Sequence, residues 1–340
     1  MHQPDPRAPA HADSPARPAR RTLLKLAALA AAAACLPPAP ALAQGGRPLR
    51  LILPISAGSG VDVIARAAAP ALGKALGQPV VIENLPGAGG ITGAAAVVKA
   101  QPDGNTLGLV SNNHVINPSV YRAMPFDAVK DVTAISVIGA TPLVLVVNPK
   151  VPAKNVKELV ALLKAKPDAY NLASSGNGTI LHLAGEMFLG EAGVKAHHVP
   201  YKGTGPMITD LLGGQVEMGV VALNAVLPYL KAGTLRAIGL CGHARSPAAP
   251  DLPTIAEQGL PRYDVEGWFA VIGPPGMKPA DIQRIHDAFA AAFTSPEVAD
   301  AMKRLATVVE PGTPAAAASF FRAEAERYAR LVKASHVVVE

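Results

Sequence analysis

Short runs of β-branched and aliphatic residues alternate with longer amphipathic, Ala- and Leu-rich segments along most of the chain. The apolar runs predict strands at 49–55, 80–83, 106–110, 143–147, 170–173, 197–199, 217–222 and 235–239. The segments between them have the period of helices. This alternation is typical of a mostly parallel sheet covered by helices, so the predicted fold class is α/β.

Two apolar runs, at 143–147 and 265–272, bracket the middle of the chain. Such a pair predicts two crossing strands that lead from a discontinuous first domain to a second domain and back, with a hinge between them. We predict a first domain of residues 44–145 plus 260–340 and a second domain of residues 146–259. A chain of this length is also longer than a single hydrophobic core usually supports, which is consistent with two domains.

The first 43 residues have the order of a secretory signal peptide. A basic segment that includes Arg20, Arg21 and Lys25 precedes an apolar run, and Ala41-Leu42-Ala43 then predicts cleavage near Ala43. The Arg20-Arg21 pair also suits a twin-arginine signal, and both export routes stay open. We therefore expect a periplasmic protein.

The charge distribution bears on the possible partners, and the cysteine positions bear on disulfides and lipidation. The leader carries five basic and two acidic residues, so its removal lowers the formal net charge from +6 to +3. Because the remaining Lys and Arg are scattered, we expect no nucleic-acid partner. Cys35 lies in the leader, where the lipoprotein pattern lacks its usual leucine. Cys241 is then the one cysteine beyond the leader, and we expect it to be a small buried apolar residue rather than a nucleophile. No intramolecular disulfide is then possible.

Gly- and Ser-rich turns recur where a strand ends and a helix begins. In open α/β sheets ligands bind at such turns. A helix N-terminus offers unpaired N–H groups and a partial positive charge, which suits anions. The candidate ligand-binding residues are Gly58, Ser59, Gly60, Ser111, Asn112, Ser174, Ser175, Gly176, Thr179, Gly203 and Thr204.

Simpler interpretations of these turns stay open. Residues 58–60 could form a tight turn only, and Thr179 could act only as a helix cap. His182 follows on the same helix face and could reach the cleft or be a structural histidine. Val63 and Thr92 stand where a dinucleotide motif requires its third glycine, so we expect no nucleotide cofactor.

Motifs of known catalytic sites are missing from the sequence. It contains no Gly-x-Ser-x-Gly, no His-Glu-x-x-His and no Cys-x-x-Cys. His197 and His198 are neighbours on a predicted strand and point to opposite faces, so we expect no shared metal. The rival hypothesis is an exported α/β hydrolase that uses Ser174 or Ser175, although the sequence places no base beside either.

Several motifs together carry a resemblance to a known family. They are QPVVIEN at 78–84, PGAGG at 86–90, PDG at 102–104, SSGNGT at 174–179, HLAGE at 182–186, HVPYKG at 198–203, DLLGGQV at 210–216 and LPTIAE at 252–257. With these motifs in this order, the chain resembles the receptors of tripartite tricarboxylate transporters, also called the Bug family. The resemblance covers nearly the whole chain beyond the leader.

This resemblance implies a two-domain, type II-like periplasmic binding fold that closes by a hinge over a small carboxylate. The cleft would use residues 57–61 and 174–179, with residues 201–204 completing one wall. The implied partners are the membrane permease subunits of the transporter, and the implied role is binding without catalysis. We expect a monomer. A sensor that docks on a membrane kinase is an alternative output.

Two departures from the family pattern fall in the cleft. Residues 58–62 read Gly-Ser-Gly-Val-Asp where the family often has Gly-Gly-Gly-Thr-Asp. Residues 220–222 read Val-Val-Ala where the family often has Phe-Asp-Asn. The second change removes polar partners for an amino or hydroxyl group. We therefore predict a carboxylate whose far end is less polar than that of an amino acid.

Overall fold

The computed structural model describes residues 47–335 and 337. The predicted leader and Cys35 lie outside the described residues. The strands are β1 (Leu49–Leu53), β2 (Val80–Asn84), β3 (Thr106–Ser111), β4 (Thr133–Val147), β5 (Asn171–Ser174), β6 (His197–Pro200), β7 (Met218–Ala222), β8 (Arg236–Leu240), β9 (Glu266–Gly273) and β10 (Val308–Val309). The helices are α1 (Gly60–Leu76), α2 (Ile91–Val98), α3 (Asn113–Val120), α4 (Val156–Ala165), α5 (Ile180–Ala192), α6 (Thr204–Gly213), α7 (Leu223–Lys231), α8 (Pro279–Thr294), α9 (Pro296–Arg304) and α10 (Pro314–Ser335).

The predicted strand-to-helix units form where the apolar runs indicated. In β1 every residue except Arg50 is buried, and β7 is buried along its whole length. Such continuous burial is expected of strands that helices cover on both faces. Helix α1 begins after Ser59, whose side chain caps it, and ends at Gly77 in the left-handed conformation.

The strand order is β2-β1-β3-β9-β4-β7-β5-β6, with β8 and β10 also pairing with β4. The parallel pairing expected from the alternation is confined to two sets, β2-β1-β3 and β6-β5-β7. Strands β4 and β9, which hold the two bracketing apolar runs, pair with their neighbours in antiparallel fashion. They run in opposite directions because one carries the chain out and the other brings it back.

Strand β4 joins two lobes. Its residues from Thr133 to Pro142 pair with β9, whereas its residues from Leu143 to Val147 pair with β7 and, from Val144 on, with β8. We call the part built on β1, β2, β3, β9 and β10 the first lobe, and the part built on β5, β6, β7 and β8 the second lobe. The domain bounds 44–145 plus 260–340 and 146–259 stay a prediction.

Helix α10 contributes side chains to the largest hydrophobic core, which contains residues of both lobes. Phe321 and Tyr328 of this helix are 1% exposed and belong to that core. Burying each such side chain stabilises the fold by about 1.5–3 kcal/mol. Among the residues that the structure describes, no helix is both long and apolar enough to cross a membrane.

Candidate ligand-binding cleft

The loop at residues 54–59, between β1 and α1, is held from beneath by a buried carboxylate. Asp62 accepts hydrogen bonds from the backbone N–H of Gly58 at 3.0 Å and from Nδ2 of Asn84 at 3.0 Å. The Arg66 guanidinium also binds this carboxylate, at 3.0 Å. Burial acts to raise the pKa of Asp62, but these hydrogen bonds outweigh it and lower the pKa. The ionised carboxylate therefore fixes the loop.

The loop at residues 174–179, between β5 and α5, is organised by Thr179. This residue caps α5, since its Oγ1 accepts a hydrogen bond from the backbone N–H of His182 at 3.3 Å. The Thr179 hydroxyl donates to the carbonyl of Gly176 at 2.8 Å, and Ser175 Oγ donates to Thr179 Oγ1 at 3.1 Å. The hydroxyl groups of this turn thus bind one another as well as the helix.

Two stacked histidines, the buried His182 and the half-buried His198, support this loop. The rings of His182 and His198 lie 3.8 Å apart, with an interplanar angle of 4°. His182 Nδ1 accepts from the Gly178 N–H at 3.1 Å, and His198 Nε2 lies 2.7 Å from Ser174 Oγ. Burial, and the neighbouring His182, lower the pKa of His198 to about 4. Neither histidine lines the cleft cavities, which favours a structural role for His182.

The two lobes meet across the cleft in a closed arrangement. Four hydrogen bonds of 2.8–3.3 Å join them: Thr204 N–H to Ser56 Oγ, Ile180 N–H to Asn113 Oδ1, Asn224 Nδ2 to the Gly60 carbonyl, and the Tyr121 hydroxyl to the Asn177 carbonyl. Two of the donors are backbone N–H groups in the first turns of α5 and α6. Closure thus places side-chain oxygen atoms of the first lobe at helix N-termini of the second lobe.

Between the lobes lie two adjoining cavities. The outer chamber, of about 420 Å³, is lined by Pro54, Ile55, Ser56, residues 86–90, Asn113, Tyr121, residues 175–177, Thr179 and residues 201–204. The inner recess, of about 60 Å³, is lined by Ile55, residues 59–61, residues 111–113, Thr141, Leu143, Ser175, Ile180, Leu181, Thr204, Ala222, Gly267 and Trp268. Among the residues that the structure describes, Lys202 is the only charged residue in either wall.

Most of the sequence-predicted site residues line these cavities. Gly176, Thr179 and Gly203 line the outer chamber, Ser59, Gly60, Ser111 and Asn112 line the inner recess, and Ser175 and Thr204 line both. Gly58 and Ser174 line neither. Gly58 faces solvent and donates to Asp62, whereas Ser174 is fully buried against His198.

Asn112 lines the recess, but its amide is already occupied. Its Nδ2 donates to the Glu266 carbonyl at 3.0 Å and to the Tyr328 hydroxyl at 2.7 Å. Its Oδ1 accepts from the Trp268 N–H at 2.9 Å. The side chain therefore shapes the recess wall and joins β3, β9 and α10.

Several wall residues were not candidates from the sequence. The glycine loop at residues 86–90 does not fit a nucleotide motif and belongs to the family motifs, yet nothing in its sequence predicts that it forms one side of the outer chamber. Tyr121 and Ser56 carry no recognisable motif of their own. Thr141 and Trp268 belong to the crossing strands, whose apolar pattern indicated a hinge and gave no signal of a binding wall.

Other candidate chemistry lies away from the cleft. Cys241 is completely buried, and burial raises the pKa of its thiol to about 12, as expected of a small core residue. His197 is exposed at the edge of the second lobe. Within residues 47–335 and 337, no group of three or more His, Cys, Asp or Glu side chains could hold a metal ion.

Comparisons with known proteins agree with this architecture. Residues 64–337 match the family model described as tripartite tricarboxylate transporter family receptor. Protein BugT of Bordetella pertussis is 35% identical over 92% of this chain and 97% of its own length.

Two solved structures resemble the chain closely. R. palustris Rpa4515 with adipate has a TM-score of 0.83 and 31% identity, covering 86% of this chain and 98% of that one. MatC from Rhodopseudomonas palustris with bound malate has a TM-score of 0.80 and 27% identity, covering 84% and 99%. The predicted α/β fold class with two domains is confirmed, and the chain belongs to the tripartite tricarboxylate transporter receptor family, as the resemblance to Bug proteins indicated.

Proposed function

We propose that this protein is a periplasmic receptor that captures a small carboxylate between its two lobes and presents it to the permease of a tripartite tricarboxylate-type transporter. One observation carries the proposal. The N-termini of α1, α5 and α6 converge on two adjoining cavities, and no acidic residue of the described part of the chain lines either one. A ligand in these cavities meets partial positive charge from both lobes.

An anionic ligand is favoured by the donors around it. Hydrogen bonds from backbone N–H groups to a charged acceptor contribute about 1.5–3 kcal/mol each, and a helix N-terminus presents several of them. Lys202 lines the outer chamber and is exposed, so it adds a solvent-screened positive charge there. A carboxylate is stabilised by all of these groups, whereas an ammonium group is repelled. The carboxylates bound to the two structural relatives, adipate and malate, have this chemistry.

The cavity dimensions suit a small molecule. The outer chamber alone, about 420 Å³, falls within the range of about 300–1,000 Å³ that is common for small-molecule sites. The inner recess of about 60 Å³ has room for one terminal group. This supports a compact acid of a few carbon atoms.

Capture would proceed by closure about the crossing strands β4 and β9. A ligand that contacts both lobes stabilises the closed arrangement relative to the open one. The four hydrogen bonds between the lobes form in the same closed arrangement. Closure therefore signals occupancy to the permease without any chemical change in the ligand.

The rival hydrolase hypothesis rests on the contact between Ser174 Oγ and His198 Nε2 at 2.7 Å. Two features weigh against catalysis by this pair. Ser174 has no exposed surface, so a substrate cannot reach its hydroxyl. The pKa of His198, lowered to about 4 by burial, makes its imidazole a poor base. Ser175 does face the cleft, but its hydroxyl donates to Thr179 and has no histidine partner among the described residues.

Small acids and amines of opposite charge test the proposal. Thermal unfolding is measured with adipate, malate and hexanoate, and with 1,6-diaminohexane and hexylamine as matched controls of opposite charge. We expect one or more acids to raise the Tm reversibly, to be recovered unchanged by mass spectrometry, and the amines to have no effect. Stabilisation by the amines alone, or conversion of the acid to product, contradicts the proposal.

A further inference from the structure

The inner recess differs in chemistry from the outer chamber. Within residues 47–335 and 337, no ionisable side chain lines it, but five of its wall residues carry hydroxyl groups: Ser59, Ser111, Thr141, Ser175 and Thr204. Two of these hydroxyls are already used, since Ser59 Oγ accepts from the Asp62 N–H and Ser175 Oγ donates to Thr179. The recess is thus polar without being charged.

Thr141 stands out among these residues. It is 4% exposed, and its Oγ1 is buried without a hydrogen-bond partner among the described residues. A buried hydroxyl is normally paired, because leaving it unpaired is costly. Since Thr141 lines the recess, a group bound there can supply the missing partner.

The strand opposite Thr141 leaves space for such a group. Thr141 pairs with Gly267 across the two crossing strands. A Cβ atom at position 267 would lie 3.4 Å from Thr141 Cγ2 and 2.9 Å from its carbonyl oxygen. Any larger residue at this position would therefore extend over the Thr141 side chain. Glycine keeps the recess open at this point.

Backbone donors reach the same recess from two helices. In the first turn of α1, the N–H groups of Asp62 and Val63 bind Ser59. In the first turn of α5, those of His182 and Leu183 bind Thr179. The described hydrogen bonds leave the N–H groups of Gly60, Val61 and Leu181 unused, and these three residues line the recess. A carboxylate has two oxygen atoms that accept from such donors.

We infer that Thr141 is a specificity-determining residue of the cleft, because its hydroxyl donates a hydrogen bond to the ligand carboxylate that lies in the inner recess. The remainder of the ligand lies in the outer chamber, toward Lys202. This inference rests on the proposed function, because it assumes that the cleft takes a carboxylate. The inference adds which cavity holds one carboxylate end of the ligand and which side chain selects that end.

Two variants at one position test the inference. Thr141→Val keeps the shape of the side chain and removes the hydroxyl, whereas Thr141→Ser keeps the hydroxyl. Isothermal titration calorimetry gives the Kd for adipate, malate, hexanoate and benzoate with each protein. For each acid that binds the wild type, we expect Thr141→Val to weaken binding about 10- to 100-fold, as the loss of one charge-assisted hydrogen bond requires.

The controls separate binding from folding. Thr141→Ser should bind within about 3-fold of wild type, and the Tm of ligand-free Thr141→Val should not fall, because the hydroxyl lost is unpaired without ligand. Wild-type affinity in Thr141→Val overturns the inference and leaves the proposed function standing. If none of the four acids binds the wild-type protein, the proposed function and the inference fall together.

Discussion

Gly60 is the point at which a single added methyl group should obstruct closure. This residue begins α1 in the first lobe and faces the start of α7 in the second lobe. A Cβ atom at position 60 would lie 2.6 Å from Ala222 Cβ and 2.6 Å from Asn224 Oδ1. The Gly60 carbonyl also accepts the hydrogen bond of Asn224 Nδ2 at 3.0 Å. Gly60→Ala therefore forces the lobes apart where they are joined.

The size of the effect follows from these distances. Carbon atoms in contact lie about 3.5–4.0 Å apart, so the new methyl group is about 1 Å too close. Overpacking of this kind costs about 1–3 kcal/mol. Because the strain exists only in the closed arrangement, it should appear as an increase in Kd of about 5- to 150-fold. The fold of the first lobe should be little affected, since the three atoms nearest to the added methyl group belong to the second lobe.

The measurement compares Gly60→Ala with Gly190→Ala by calorimetry, using the acid that stabilises the wild type most. Gly190 lies in α5, is exposed, and has no atom within 4 Å of an added Cβ. We expect this control to bind as wild type does. Small-angle scattering with ligand should show a larger radius of gyration for Gly60→Ala alone. Equal affinity and equal compaction in the two variants would refute the reasoning.

Three further predictions concern a loop support, a buried histidine and a cleft-wall lysine. Asp62→Asn removes the charge that holds the loop at residues 54–59, and should lower stability by about 1–3 kcal/mol in urea unfolding, unlike the exposed control Asp287→Asn. His114 lies buried in α3, with its Nε2 2.7 Å from the Ala128 carbonyl oxygen. Burial lowers the pKa of His114 to about 4, so stability present above about pH 6.5 should fall by up to about 3 kcal/mol as the pH drops to about 4, and more steeply than in His114→Gln. Lys202→Met should weaken the binding of adipate, measured as Kd by calorimetry, more than that of hexanoate, because only adipate has a second carboxylate that can lie near Lys202. An equal loss of affinity for the two acids would contradict this placement of the second carboxylate.

The secondary structure and the turns of the cleft could be predicted from local sequence. The strand-to-helix turns at residues 58–60, 174–179 and 203–204 follow from apolar runs that end in glycine and hydroxyl residues, and each adjoins a helix in the structure. Helix α3 was not predicted, since Pro118 lies inside it and its apolar pattern is short. Local pattern thus located the loops without defining the cavity.

The roles of individual side chains depend on contacts between distant segments. Asn112 appeared to be a ligand donor because it follows a strand, but its amide is occupied by residues more than 150 positions away in the sequence. Ser174 is likewise occupied by His198 of the neighbouring strand. Thr141 becomes a binding residue only because Gly267 pairs with it. No local pattern encodes these pairings.

The central claim is that helix N-termini from both lobes hold a ligand carboxylate. A crystal structure of the protein with the acid that stabilises it most tests this claim directly. We expect a carboxylate oxygen within about 3.2 Å of the backbone N–H of Gly60 or Leu181 and of the Thr141 hydroxyl. An acid bound outside the cleft, or one whose carboxylate contacts only Lys202, would contradict the account.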